Sequence, residues 1–141
     1  MLANGAKLGY RLASASTGSF TNLPGLKEIP ELGVEPEKVE NTCLTDTHKM
    51  YEKGIGDLPD MIYKFKYDNS SASSPYRVMR GYADAGTKLT FKEELPDGTT
   101  TQYDAQVSVK RTGGEVNGVL EFELSVMVQS EFTFTDPTVS A

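Results

Sequence analysis

A long run of alternating apolar and polar residues near the C-terminus is the feature that most restricts the fold of this chain. In 117-NGVLEFELSVMVQSEFTFT-135 the even positions are apolar from Leu120 to Val128, and the pattern resumes at Phe132. Successive side chains of a strand point to opposite faces, so this run predicts extended structure with one buried face. A single strand of this length is unusual. We therefore expect either a bulge near Gln129–Ser130 or a strand that extends beyond the domain.

Shorter alternating runs precede this one and predict further strands. Three are well defined, and they are 61-MIYKFKY-67, 88-KLTFKEEL-95 and 101-TQYDAQVSVKR-111. The last two are joined by the turn sequence 96-PDGT-99, and the Gly-rich 112-TGGEVNG-118 leads on to the final run. Residues 88–134 thus predict an antiparallel meander. Weaker patterns predict short extended pieces at 7–13, 26–33 and 38–42.

One helix is predicted between these strands, over residues 74–85. Ser74 followed by Pro75 is typical of a cap and a first helical position. Gly86 is a suitable C-terminal stop. The residues expected to face inward are Met79, Tyr82 and Ala83.

These elements predict a mainly β fold, an antiparallel β-sandwich or barrel with one peripheral α-helix and a long inter-strand loop. The 141 residues are enough for a single domain. Within it we expect an N-terminal arm at 1–6, an extended loop at 41–60 and a flexible tail at 135–141.

Charge and cysteine content exclude several classes of protein. A formal net charge of −6 argues against binding nucleic acid by neutralising phosphates. A single cysteine excludes an internal disulfide framework and a four-thiolate zinc site. The sequence contains no run resembling a signal peptide or a membrane span, so we expect a soluble protein made in the cytoplasm.

No constellation of residues predicts catalysis, a metal site or a cofactor. Cys43 and His48 are the only residues of their types, and no third group that would activate them can be named. The aspartates around them do not follow the order of a calcium loop. The Gly-rich 112–118 lacks the lysine of a phosphate-binding loop. The carboxylate pairs Glu93–Glu94 and Glu121–Glu123 are better explained as exposed acidic residues.

The stretch 41-NTCLTDTHKMYEKGIGDLPDMIYKF-65 resembles a motif of the tail tube (major tail) proteins of long-tailed bacteriophages. In that family a strand ends in an acidic residue or Asn followed by Thr. A polar piece with Asp and a basic residue follows, then an aromatic residue, a Gly-containing turn, an Asp and a new strand. The matching positions are Glu40, Asn41, Thr42, Leu44, Asp46, Lys49, Tyr51, Gly54, Ile55, Asp57, Leu58 and Ile62.

The flanking sequences fit the same resemblance, which covers roughly residues 4 to 135. Upstream, 26-LKEIPELG-33 is similar to the family's early L-x-x-I-P-x-L strand. Downstream follow a helix, a strand, the "DGTT" hairpin at 97–100, a strand around Val107 and a closing strand near Phe132. One departure is Lys53-Gly54, where the family often has Pro-Gly.

The resemblance implies a structural protein of the virion tail, assembled in the host bacterial cytoplasm. Hexameric rings would form by joining sheets into an inner barrel, and would stack into a hollow tube. DNA would pass through the tube without specific binding. The implied partners are further copies of the chain and the tape-measure, tail-terminator and tail-tip proteins, with no membrane involved.

The resemblance also implies roles for two sets of residues. The loop 41–60 would reach a neighbouring subunit, commonly in the adjacent ring. The family's lumen is typically acidic, and Glu121, Glu123 and Glu131 are our hypothesis for residues that line it.

Three alternatives stay open at this level. The first is the related tube of a contractile tail or tail-like secretion system. The second is a small ligand- or carbohydrate-binding β-sandwich, although its seven Tyr are scattered and Trp is absent. The third is an enzyme built on a β-barrel, for which no catalytic constellation is visible.

Overall fold

Ten strands and one helix make up the fold in a computed structural model that describes residues 2–15, 18–33, 35–45, 47–57 and 61–137. The helix α1 spans Pro75–Ala85. The strands are β1 (Lys7–Leu12), β2 (Thr21–Asn22), β3 (Leu26–Glu28), β4 (Glu35–Glu40), β5 (Tyr51–Asp57), β6 (Met61–Lys66), β7 (Leu89–Glu94), β8 (Thr100–Arg111), β9 (Glu121–Val128) and β10 (Thr133–Thr135).

Eight of the strands form one curled antiparallel sheet that resembles half of a barrel. Its order is β2-β1-β7-β8-β9-β6-β3, and β10 pairs with β8. Strands β4 and β5 form a separate two-stranded ribbon. The predicted class is therefore confirmed: the protein is mainly β and antiparallel, with one helix.

A single segment, residues 21–28, connects the two edges of the curled sheet. Its beginning pairs with β1 as β2, and its end pairs with β6 as β3. Between the two, the Leu23 N–H donates to the carbonyl of Leu8 over 2.9 Å, and the Gly25 carbonyl accepts from the N–H of Lys66 over 2.9 Å. The segment thereby draws the edges together. The extended piece predicted at 26–33 is a strand only over 26–28.

The inner face of the sheet and one side of the helix enclose the core. Alternation predicted these positions, since every second residue is buried over 61–65 of β6, 101–107 of β8 and 122–126 of β9. Fully burying one such large apolar side chain contributes roughly 1.5–3 kcal/mol. The buried apolar residues are Leu8, Leu23, Met61, Tyr63, Phe65, Met79, Leu89, Phe91, Tyr103, Ala105, Val107, Phe122, Leu124 and Val126.

The helix begins and ends where the sequence predicts. Pro75 occupies the first turn, and Gly86 adopts the left-handed conformation with φ of 66°. The Gly86 and Thr87 N–H groups close the last turn on the carbonyls of Ala83 and Tyr82. The Ser74 side chain, however, does not cap the helix, because its Oγ accepts from the N–H of Ser71 over 3.1 Å.

The long C-terminal alternation is interrupted by a bulge, one of the two alternatives that the sequence leaves open. Val128 lies opposite Ala105, and Thr133 lies opposite Gln102. The two positions are five residues apart on the β9–β10 side but three residues apart on β8. The two extra residues are held by Asp104, whose carbonyl accepts from the Gln129 N–H and whose N–H donates to Ser130 Oγ, each over 2.8 Å. The shift is even, so it preserves the alternation of faces.

The predicted loop 41–60 is wrong in its second half. Residues 51–57 form β5, paired with β4 from Glu35↔Asp57 to Glu40↔Tyr51. The sequence YEKGIGD lacks the apolar alternation that would identify a strand. Strand β5 pairs with β4 in the ribbon and takes no part in the main sheet. The strand predicted at 38–42 lies at 35–40. Of the predicted tail 135–141, Thr135 ends β10 and residues 138–141 lie outside the described part.

Candidate functional site

The tip of the β4–β5 ribbon (residues 35–57) carries several of the predicted site residues. The Asn41 N–H donates to the carbonyl of Met50 over 2.8 Å, and the Met50 N–H donates to Thr42 Oγ1 over 3.0 Å. These bonds close the ribbon into a loop, of which residues 41–45 and 47–50 are all exposed. Leu44 is completely exposed and Met50 is 43% exposed.

The structure distributes the remaining predicted residues of this segment between loop and strand. Lys49 is exposed in the loop with Asn41, Thr42 and Leu44. The members within β5 are Tyr51, Gly54, Ile55 and Asp57. Asp46 and Leu58 lie outside the described residues.

Cys43 and His48 each contact a threonine in this loop. The Cys43 thiol lies 3.4 Å from Thr45 Oγ1, and His48 Nδ1 lies 3.4 Å from Thr47 Oγ1. Both residues are exposed. Among the described residues, no group of three or more His, Cys, Asp or Glu side chains could hold a metal ion.

A second surface is the polar face of the main sheet, the side opposite the core. Glu121 and Glu123 lie on it, as their odd positions predict, but lysines flank them. The register sets Glu121 opposite Lys66, and sets Glu123 opposite both Lys64 and Lys110. The Lys27 ammonium is 3.4 Å from the Glu121 carboxylate. This face is therefore mixed in charge. Glu131 lies beyond the end of β9, in the bulge, and is exposed.

Phe20 covers one end of the polar face, a feature that the sequence pattern does not predict. The Arg11 guanidinium lies 4.4 Å from the centre of the Phe20 ring and donates to the carbonyl of Gly18 over 2.7 Å. Gly9 permits this arrangement, because a Cβ on it would come within 3.1 Å of the Phe20 Cβ. The chain before β2 thus folds over β1.

The core contains a buried polar chain of two tyrosines and a glutamate. The Tyr103 hydroxyl donates to the Tyr63 hydroxyl over 2.9 Å, and Tyr63 donates to Glu93 Oε2 over 2.6 Å. Burial raises the pKa of both tyrosines, so both keep their protons. Burial also raises the pKa of Glu93, and the hydrogen bond from Tyr63 acts in the opposite direction.

Sequence reasoning missed Glu93, although a signal for it was present. Glu93 shares the odd parity of Leu89 and Phe91 in β7, and these two residues were expected to point inward. Glu94 points to the other face, so the two glutamates do not form a carboxylate pair.

Comparison with known proteins identifies the family. A sequence profile described as phage tail tube protein matches residues 10–137. The chain belongs to the phage tail tube protein family. The match runs from β1 to just past β10, so it includes the ribbon, the polar face and the buried polar chain. No curated protein sequence matches the chain.

Solved structures show the same fold at low sequence identity. A chain from the tail of an empty gene transfer agent particle, refined with C6 symmetry, has a TM-score of 0.71 and 20% identity, with 95% of this chain and 99% of that chain covered. A chain of the anti-feeding prophage baseplate, symmetrised six-fold, has a TM-score of 0.71 and 9% identity, covering 99% and 97%. The SPP1 tail tube protein has a TM-score of 0.60 and 13% identity, covering 99% and 81%.

Family membership settles the broad class of the protein. It is a structural protein of the virion tail, a tail tube subunit and not an enzyme. No helix among the described residues has the length and apolar content required to span a membrane.

Proposed function

We propose that this tail tube protein assembles into hexameric rings that stack into a hollow tube for the passage of DNA. The observation that carries the proposal is the family match over residues 10–137. Two structures with the same fold support it, because both belong to assemblies with six-fold symmetry. Tape-measure, tail-terminator and tail-tip proteins would meet the tube along its lumen and at its ends, and assembly would take place in the bacterial cytoplasm.

We infer that the β4–β5 ribbon is an arm that binds a neighbouring copy. A two-stranded hairpin is marginally stable in water without a surface to pack against. Among the described strands, β4 and β5 pair only with each other. The exposed Leu44 and Met50 at its tip are suited to burial in a contact between copies. The arm residues of this proposal are Asn41, Thr42, Leu44, Asp46, Lys49, Tyr51, Gly54, Ile55, Asp57 and Leu58.

We infer that the polar face of the main sheet lines the lumen, with Glu121, Glu123 and Glu131 among its carboxylates. Three lysines lie opposite Glu121 and Glu123, so the lining is mixed in charge rather than strongly acidic. When a lysine lies next to a carboxylate, the two charges partly cancel, so the pair attracts or repels a phosphate only weakly. Such a surface would let DNA slide without binding it.

The test is negative-stain electron microscopy of the purified protein over a series of concentrations, with light scattering in parallel. We expect hollow tubes or six-fold rings above a threshold concentration. If the protein stays monomeric, the series is repeated with a tail-tip extract as an initiator of assembly. A protein that forms neither rings nor tubes with the extract would contradict the proposal.

A further inference from the structure

The ribbon and the hairpin that joins β8 to β9 (residues 112–120) lie at opposite ends of β6. Strand β5 ends at Asp57 and β6 begins at Met61, so the root of the ribbon lies within about 14 Å of the start of β6. At the other end, the Tyr67 N–H donates to the carbonyl of Leu120 over 3.2 Å, which ties the hairpin to the residue after β6. The length of β6 is about 17 Å, and it separates the two features.

The backbone of the hairpin is held by its own hydrogen bonds. At the base, the Thr112 N–H donates to the carbonyl of Glu121 over 2.9 Å, and the Glu121 N–H donates to Thr112 Oγ1 over 3.1 Å. At the tip, the Gly118 N–H donates to the carbonyl of Glu115 over 2.8 Å. The hairpin therefore presents its side chains from a fixed backbone.

The hairpin exposes apolar side chains to solvent. Val116 is 92% exposed and Val119 is 67% exposed, and Leu120 next to them is also exposed. Scattered exposed apolar residues are normal on a protein surface, whereas a group of them on one loop is a candidate contact with another protein. The exposed Leu44 and Met50 at the tip of the ribbon form a second group of this kind.

The end of the subunit around the hairpin is positively charged, unlike the chain as a whole. The helix begins here, because the Tyr76 ring lies 5.5 Å from the ring of Phe122 in β9. We call residues 66–80 and 110–121 the basic end, since they contain five basic and three acidic residues. Residues 35–57 of the ribbon contain six acidic and three basic residues, so the two surfaces are opposite in charge. The five basic residues are all exposed, and they are Lys66, Arg77, Arg80, Lys110 and Arg111.

Stacked rings that point the same way bring opposite ends of two copies together. Such a heterologous contact does not close on itself and therefore continues along a filament. The strands of a barrel run along its axis with a tilt of about 35–45°, so the two ends of β6 would face opposite ends of the proposed tube. The paired part of the ribbon is about 20 Å long, which allows its tip to reach a copy beyond its own root.

We propose that the tip of the ribbon docks on the basic end of a copy in the adjacent ring, with Leu44 and Met50 against Val116 and Val119. This inference rests on the proposed tube, and it assigns the surface that receives the arm. The apolar side chains would be buried between the copies, and the opposite charges would set the orientation of the contact. Pairing of these charges offsets part of the net repulsion between acidic subunits.

Disulfide trapping between two different proteins tests the docking. Cys43 is the only cysteine of the chain and is exposed at the tip of the ribbon, so the wild type supplies one thiol. A size-tagged protein with Cys43→Ser and either Val116→Cys or Val119→Cys supplies the other. A disulfide needs Cα atoms about 4.4–6.8 Å apart. After co-assembly and oxidation, we expect a covalent heterodimer from at least one of the two mixtures.

A control mixture and a ladder calibrate this experiment. A tagged protein with Cys43→Ser and Asp97→Cys should not link to the wild type, because Asp97 is exposed in the β7–β8 turn, at the other end of β8 from the hairpin. A single protein with Cys43 and Val116→Cys should form a ladder that continues beyond six copies, because a contact between rings repeats along the tube. A ladder that ends at six would place the contact within one ring and overturn the inference.

A pair of substitutions in the hairpin provides an independent readout. Val116→Ser combined with Val119→Ser should leave six-fold rings intact and raise the threshold concentration for tubes at least tenfold. Both residues are exposed, so thermal unfolding of the dilute subunit should not change. Val116→Ile combined with Val119→Ile keeps the apolar character and is the matched control, with a threshold close to that of the wild type.

The outcomes separate this inference from the proposed function. Wild-type tubes that form while both hairpin mixtures stay unlinked would overturn the docking and leave the proposed function intact. Tubes that form at the wild-type threshold with both valines replaced by serine would overturn it as well. A wild-type protein that forms neither rings nor tubes, even with tail-tip extract, would overturn the proposed function and this inference together.

Discussion

At the scale of single residues, the buried Glu93 is the least expected feature of this tail tube protein. A carboxylate in a core is costly unless it is hydrogen-bonded. Here Tyr63 donates to it, and Tyr103 donates in turn to Tyr63. These residues lie on β6, β7 and β8, so the chain of bonds crosses the interior of the curled sheet. It fixes the relative positions of strands that are not all neighbours.

This arrangement predicts a specific pH dependence of stability. The folded pKa of Glu93 is raised above its ordinary value of 4.5 because burial disfavours the charged form. The native state therefore holds this proton more tightly than the unfolded state. Its contribution to stability is full below the unfolded pKa and is lost as the pH rises through the folded pKa.

We expect the wild type to lose stability relative to Glu93→Gln as the pH is raised from about 4 to about 7. The measurement is urea unfolding of both proteins across this range. Glu94→Gln, which alters the adjacent carboxylate on the polar face, is the control and should show no such trend. A difference between wild type and Glu93→Gln that is constant with pH would contradict the prediction.

At the scale of elements, the ribbon and the main sheet follow different rules. Strands β6 to β9 of the main sheet are identified by alternation because one of their faces is buried. Strands β4 and β5 pair with each other, and the residues described at the tip of the ribbon are exposed. The sequence 51-YEKGIGD-57 shows no apolar alternation, so it predicts a loop where the structure has a strand.

We expect Leu44→Ser to weaken assembly without weakening the fold. Leu44 is completely exposed, so the substitution removes no packing within the subunit. If the tip is buried between copies, the threshold concentration for tubes should rise about tenfold or more, the equivalent of roughly 1.4 kcal/mol per contact. Light scattering measures the threshold, and thermal unfolding of the dilute subunit checks the fold.

The conservative substitution Leu44→Met is the matched control, because it keeps an apolar side chain of similar volume. Its threshold should stay close to that of the wild type. Equal thresholds for Leu44→Ser and wild type would show that the tip is not part of the contact between copies.

At the scale of the whole molecule, charge opposes the assembly of identical copies. Each copy carries a formal net charge of −6. Half of that excess lies in residues 35–57, which contain six acidic and three basic residues. If the ribbons bind other acidic subunits, as we propose, this charge must be screened or paired. The mixed polar face carries little of it, because the lysines there offset the glutamates.

We expect the threshold concentration for assembly to fall as salt is raised from about 10 mM to about 150 mM. Over this range the screening length shrinks from about 30 Å to about 8 Å, and repulsion between exposed charges weakens accordingly. Light scattering at fixed pH 7 measures the threshold. A threshold that rises with salt would show that attraction between opposite charges across the interface outweighs the net repulsion.

The sequence alone determined strands β6 to β9 of the main sheet, the faces they bury and the ends of the helix. Alternation reports which residues face the core, as in Leu124 and Val126, and Pro75 and Gly86 act through local backbone geometry. The length of the last alternating run, which exceeds an ordinary strand, left two alternatives, and the bulge near Gln129–Ser130 is the one that the structure contains.

Only the tertiary structure decided which strands meet. The connection of both sheet edges by residues 21–28, the pairing of β4 with β5, and the Tyr103–Tyr63–Glu93 chain all join residues that are distant in sequence or lack a periodic pattern. A pattern along the chain encodes the direction of each side chain but not its partner. The partner is set by backbone hydrogen bonds and packing, which depend on how all the strands are arranged together.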